Sequence, residues 1–329
     1  MAAEYRRPRV ARAPAPSRDV ERALTRHREK IAARHAVKTA DGLVRMVDDL
    51  GFCFAFTGES AYPIPAAFDH LDTRSDGRKW EWMWGWKDEL AEKKRLYYGK
   101  LLVKKPTFVS LKMLPTFYAT FGRAGDPDDH LEDVRAGRLS EIARRVIEFL
   151  AVNGETQTKR MRSALGITSQ EGKSDYAKAI EELQRLMYVA RVRAVGEGRE
   201  DYNYTYDLFV HRYPETVRAA ASASSADAMT ALLAHLLGLA GGVSEAKVTK
   251  LFDWSEDRVG HAARRLETKK RLVRAGNSYG HRLSLRHLTC SSPAGPPNCT
   301  GLLVNGCGRS DPWVACVCVL SHSLSCGSL

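Results

Sequence analysis

The chain has 329 residues, 44% of them hydrophobic, with a formal net charge of +12 and a pI near 9.4. That length accommodates two or three domains with real cores, and no apolar run reaches the roughly 18 residues that span a bilayer. The start lacks the apolar segment of a secretory signal, so a cytoplasmic protein without a membrane partner is expected, one whose charge suits a polyanion such as nucleic acid.

Residues 1–36 are rich in Arg, Ala and Pro, with Arg6, Arg7, Arg9, Arg12 and Arg18 among Pro8, Pro14 and Pro16. This composition cannot bury a core and reads as a disordered basic arm, helical in part from Arg18. It is either a phosphate-docking arm or a solvated tail. Residues 37–122 read as one α+β domain. Asp41 suits an N-cap, and Leu43, Val44, Met46, Val47 and Leu50 make the apolar face of a helix that Gly51 ends. The apolar run Phe52–Phe56 follows, and Tyr62-Pro63-Ile64-Pro65 turns the chain into a helix over 66–71.

Trp80, Trp82, Trp84 and Trp86 then fall within seven residues. On a helix, Trp82 and Trp86 share one face and Trp80 and Trp84 another. The cluster either stacks on nucleobases or fills a core short of aliphatics, with at least two of the four expected inside. Among the carboxylates near it are Glu81, Asp88 and Glu89. A carboxylate desolvated by tryptophan is how a general base is often tuned, and a solvent-facing helix charge is the plainer alternative. Residues 94–105, around Tyr97-Tyr98-Gly99-Lys100, interleave cations with aromatics, as a phosphate-and-base surface or an amphipathic surface helix would. Pro106–Ser110 reads as a strand and Leu111–Phe121 as a helix. Residues 123–137 form an acidic linker bearing Gly and Pro.

Residues 138–215 have the order of a winged helix-turn-helix. Leu139, Ile142, Val146 and Phe149 recur at helical spacing until Asn153-Gly154. A short helix over 156–165 precedes a third over 175–187, carrying Ala177, Ile180, Leu183 and Met187. Residues 188–195 turn through Gly196-Glu197-Gly198 and return as Tyr202-Asn203-Tyr204-Thr205-Tyr206, the alternation of a half-buried strand. After a small-residue linker, 216–226, the plan repeats over 227–288. Leu232, Leu236 and Leu239 mark its first helix. Val259, Ala262, Ala263 and Leu266 mark its third, whose other side shows Arg258, His261, Arg265 and Lys269 as a stripe without an acid. The fold expected is therefore mainly α with small β-hairpins (α+β), built on tandem winged helix-turn-helix domains. The candidate DNA contacts are Arg258, His261, Arg265, Lys269, Lys178, Arg185 and Lys100, each set against the reading of a solvated basic face.

Residues 289–329 change character and read as a disordered tail rich in Cys, Ser and Gly. Only Arg309 and Asp311 remain charged there, and they cancel. Translation out of frame is one reading of this stretch. It holds Cys290, Cys299, Cys307, Cys316, Cys318 and Cys326, none in paired C-x-x-C spacing, so neither zinc nor another cofactor is expected.

Five segments in this order carry a family resemblance: Leu50-Gly51-Phe52-Cys53-Phe54, Tyr62-Pro63-Ile64-Pro65, Trp84-Gly85-Trp86-Lys87-Asp88, Tyr97-Tyr98-Gly99-Lys100 and Lys105-Pro106-Thr107-Phe108-Val109-Ser110. With two winged-helix patterns after them, the chain resembles the AlkZ-related proteins, relatives of the AlkZ/YcaQ winged-helix DNA glycosylases. The resemblance implies their scaffold, a role near DNA repair and a double-stranded DNA partner. In those glycosylases two polar residues flanking an apolar one, just after a helix ending in Leu-Gly, position the attacking water. Here Phe54 and Phe56 fall at those positions, with Ala55 between them. Phenylalanine neither accepts a proton nor holds a water, so N-glycosidic hydrolysis would need a relocated carboxylate, such as Glu59 or Glu81. The alternatives are a non-enzymatic winged-helix regulator and a protein-interaction module.

Overall fold

A computed structural model describes residues 18–56, 62–123, 125, 128–196, 202–275 and 278–281. The expectations for the first part of the basic arm, Glu59, the turn after Gly196, the tip of the last hairpin and the Cys-rich tail lie outside these residues.

Helix α1 (Arg18–Ala32) buries Val20 and Leu24 and leaves most of its basic side chains outward. Helix α2 (Ala40–Leu50) is capped by Thr39, not Asp41: the Thr39 hydroxyl accepts from the Gly42 N–H, and Asp41 sits in the first turn instead. Leu43, Met46, Val47 and Leu50 are its buried stripe. Gly51, at φ 75°, ends the helix, and a Cβ there would lie 2.5 Å from His235 Nε2. Strand β1 (Phe52–Phe54) follows, then a 3-10 turn, Ala67–His70, where the sequence pattern predicts an α-helix. Helix α3 (Asp76–Glu92) carries the tryptophans. Strands β2 (Tyr97–Leu102) and β3 (Lys105–Val109) close a sheet in the order β1-β3-β2, antiparallel throughout. The basic-aromatic stretch is thus a largely buried strand, not a surface helix. Its hairpin turns on Val103 and Lys104, both at positive φ as a two-residue primed turn demands. A β-branched residue is strained there, and the Val103 N–H is held by the Leu251 carbonyl at 3.2 Å.

Helices α4 (Leu114–Ala119) and α5 (Asp129–Arg135) lead into α6 (Glu141–Asn153), β4 (Thr156–Gln157), α7 (Thr158–Ala164), α8 (Gln170–Arg185), β5 (Val189–Val195) and β6 (Asn203–Leu208). So a short helix occupies part of the stretch read as a linker. Two more, α9 (Phe209–Arg212) and α10 (Pro214–Ala220), precede α11 (Ser225–Ala240), β7 (Gly242–Ser244), α12 (Glu245–Phe252), α13 (Glu256–Thr268), β8 (Leu272–Ala275) and β9 (Ser278–His281). The second and third sheets run β4-β6-β5 and β7-β9-β8, the strand order of the first. One connectivity therefore occurs three times, where the sequence displays it twice.

The three units are not equivalent in packing. The first and third share one hydrophobic core, from Leu43 and Phe52 to Leu232, Leu236 and Val259. His235 of α11 ties them, with Nε2 2.7 Å from the Leu50 carbonyl oxygen and its ring on Phe52. The second unit has a core of its own, around Val146, Leu150, Met161 and Leu183. Helix α1 docks on α11, its His27 and Arg28 bonded to the carbonyls of Gly238 and Ala240. Among the described residues no single helix is long and apolar enough to cross a membrane; α10 and α11 together have the composition, but a 102° bend separates them.

Candidate functional site

The first two units meet reciprocally. Helix α3, third in its unit, packs on β5 of the second, while α8, in the same place in the second unit, packs on β2 of the first. Lys100 of β2 pairs with Glu181 of α8 at 2.8 Å, and its N–H donates to Gln184 Oε1. Facing them, Lys87 of α3 meets the tyrosines of the second hairpin.

Lys87 is 1% exposed. Its Nζ donates to Asp88 Oδ2 at 2.6 Å, to the Tyr202 hydroxyl and to the Tyr204 hydroxyl at 3.3 Å, and lies 4.1 Å from the Trp84 ring centroid. Tyr202 in turn donates to the same Asp88 oxygen. Burial lowers the Lys87 pKa, against the pull of Asp88, and burial followed by the Asp88 hydrogen bond raises that of Tyr202. An ammonium is removed from water here only because one carboxylate, two phenols and an aromatic face replace its hydration. Arg191 of β5 lies next to this group, its guanidinium 3.7 Å from the Tyr204 ring and 4.7 Å from that of Tyr98.

The buried face of α3 is Met83, Lys87, Leu90 and Ala91 rather than any tryptophan. Trp82 and Trp86 are half-buried and stacked 5.1 Å apart, and Trp80 and Trp84 are 52% and 49% exposed. The core expectation for two of the four therefore fails: the helix turns a lysine inward because the tyrosines opposite can hold it. Phe54 is buried. Phe56 stacks on Trp80 with ring centroids 5.6 Å apart, and Trp80 contacts Phe68 at 4.6 Å between centroids. Glu81 faces solvent.

The other candidates are dispersed. Arg185 pairs with Asp253 across the units, and Lys178 pairs with Asp175 on its own helix at 2.9 Å. On α13, Arg258 donates to the Thr120 carbonyl and the Ser225 hydroxyl, and Arg265 pairs with Asp227 of α11. The stripe does meet an acid, supplied by a neighbouring helix and so invisible on α13 itself. His261 and Arg264 of α13 and Lys269 at its end are exposed. Sequence reasoning missed Lys87, Tyr202, Tyr204 and Arg191 as a group. The aromatic alternation of the hairpin was the one available signal.

A family model described as AlkZ related matches residues 37–253. No curated protein matches the chain. Among solved structures, the DNA glycosylase AlkZ of Streptomyces sahachiroi aligns with a TM-score of 0.51 at 11% identity, covering 83% of this chain and 72% of that one. At that identity the likeness is one of fold.

Proposed function

The chain belongs to the AlkZ-related family, and from that premise we propose that it is a DNA-binding protein on a glycosylase-like scaffold that does not release bases by the glycosylases' route. Its three repeated units are read as tandem winged helices. The observation that carries the proposal is the packing of Phe54 and Phe56 with Tyr62, Phe68 and Trp80, where hydrolysis would need two polar groups around a water. An N-glycosidic bond breaks toward an oxocarbenium-like centre, which requires a base for the water and negative charge nearby. Two phenyl rings supply neither, and Glu81 points to solvent.

The charge of +12 and the exposed His261, Arg264 and Lys269 support a phosphate-backbone contact. The winged-helix regulator, with each third helix reading a groove, is less favoured because α3 and α8 are occupied by each other's hairpins. The test is a single-turnover base-release assay on duplexes carrying alkylated purines, with protein in excess and binding verified in the same buffer. The expected result is release no faster than without protein; faster release would overturn the proposal.

A further inference from the structure

A cleft of about 320 Å³ opens beside Lys87, bounded by α7, α8, β2, β5 and β6. That volume is at the lower end of small-ligand pockets, about 300–1,000 Å³. Its lining is unusual in charge. Arg162, Lys173 and Arg191 reach it, and among the described residues none of the three has a carboxylate partner. The lining acid, Glu181, is held by Lys100 at 2.8 Å and Lys104 at 3.5 Å. The Nε atoms of Arg162 and Arg191 are buried and without a hydrogen-bond acceptor, although the Arg191 guanidinium also bonds the Tyr98 and Tyr206 hydroxyls. Buried donors on cations are costly unless an acceptor arrives, and an anion is the acceptor that also cancels charge. Around these cations stand the half-buried Tyr202 and Tyr204, the latter with Arg191 over its ring, and the buried Tyr176 and Tyr206.

We propose that this cleft binds a nucleotide, its phosphate held by Arg162, Lys173 and Arg191 and its base set against Tyr202. The inference deepens the nucleic-acid reading and rests on it for the ligand class. The cleft itself joins the two chemistries a nucleotide presents. Guanidinium groups suit phosphate oxygens through paired N–H donors, and a tyrosine face such as that of the half-buried Tyr202 stacks on any base. The Asn203 side chain, whose Oδ1 accepts the Tyr204 N–H, leaves its amide donors for a base edge. A nucleotide free in solution and one within a DNA strand present the same groups, and the same contacts serve both.

The experiment titrates the full chain with thymidine 5′-monophosphate, thymidine, inorganic phosphate and a short single-stranded oligothymidylate, following tryptophan fluorescence, since Trp84 packs 5.4 Å from Tyr202. The monophosphate should bind roughly tenfold or more tightly than either thymidine or phosphate alone. Lys173→Ala, at an exposed position, and Arg162→Ala should each weaken it by roughly tenfold without changing the urea midpoint. Arg191→Gln should abolish it, with circular dichroism checking the fold. Competition by the oligonucleotide assigns the site to a DNA strand; its failure to compete assigns it to the free nucleotide. No monophosphate binding, equal binding of phosphate alone, or unchanged affinity in both Lys173→Ala and Arg162→Ala would overturn the assignment. Duplex binding is measured in parallel. If it persists while the monophosphate does not bind, the cleft proposal fails and the DNA reading stands. The reverse pattern separates them the other way.

Discussion

Removing either Asp88 or Lys87 should cost stability, and removing both should cost less than the sum of the two losses. In Asp88→Ala the ammonium stays buried, with its Nζ facing only two phenol oxygens and the Trp84 face. Stripping one member from a buried pair costs about 3–5 kcal/mol. The remaining cation–π contact offsets about 1–2 kcal/mol of this, leaving about 1–4 kcal/mol. Lys87→Met instead leaves Asp88, 16% exposed, with the Tyr202 donor on Oδ2 and with Oδ1 buried and unpartnered. That change also strips the pair of one member, a loss of about 3–5 kcal/mol that the remaining Tyr202 donor and the partial exposure of Asp88 reduce. The double variant should then be more stable than Asp88→Ala alone, giving a clear coupling energy. Equilibrium urea unfolding of the four proteins reads each number. If the two losses simply add, the lysine is not held by that carboxylate and the account of the junction is wrong.

Further outcomes follow from the same contacts. Phe54→Ala empties a fully buried ring site and should lower stability by about 3–5 kcal/mol in urea unfolding. Gly51→Ala combines a left-handed backbone with a clash on His235, so it should cost more than the about 1 kcal/mol of the backbone alone, while Gly137→Ala, whose Cβ meets nothing within 4 Å, should cost only that backbone share. Burial raises the pKa of Tyr97, Tyr98, Tyr202 and Tyr204, so the folded chain keeps phenol protons that the unfolded chain releases above pH about 10. Their contribution is complete below that pH and is lost above it, at up to about 1.4 kcal/mol per pH unit for each of Tyr97 and Tyr98 and at less for the half-buried Tyr202 and Tyr204, which water screens. Lys87, with its lowered pKa, works in the opposite sense between that lowered value and 10.5, but it is one group against these four and five further tyrosines, Tyr118, Tyr176, Tyr188, Tyr213 and Tyr279, whose pKa burial also raises. Thermal unfolding should therefore fall steeply above pH 10 together with tyrosinate absorbance; a flat profile would contradict the burial. At the end of α13, Lys269 points its charge outward, and Lys269→Ala should reduce the salt slope of DNA binding by about 1, whereas Arg265→Ala, already paired with Asp227, should leave it nearly unchanged.

Much of the fold is carried by local patterns. The stripes of α2, α6 and α11 and the glycines after them appear directly in the order of residues, because each helix buries a face at its own period. The first unit was less visible as a repeat. Its second helix is only the 3-10 turn at Ala67–His70, and its third turns Lys87 inward where composition suggests tryptophan. The junction was hidden for a different reason. Lys87 and Tyr202 are 115 positions apart, and nothing near Lys87 announces a hydroxyl to receive it. Likewise Asp227 neutralises Arg265 from another helix, so a stripe that looks uniformly basic in one dimension does not stay so in three.

The salt dependence of DNA affinity tests the central claim most directly. Fluorescence anisotropy of a labelled, undamaged duplex with the full chain should give a logarithmic affinity that falls linearly with the logarithm of salt, at about −0.9 for each phosphate neutralised and with several phosphates engaged. An affinity that is absent at low salt, or indifferent to salt, would contradict a protein built to hold DNA.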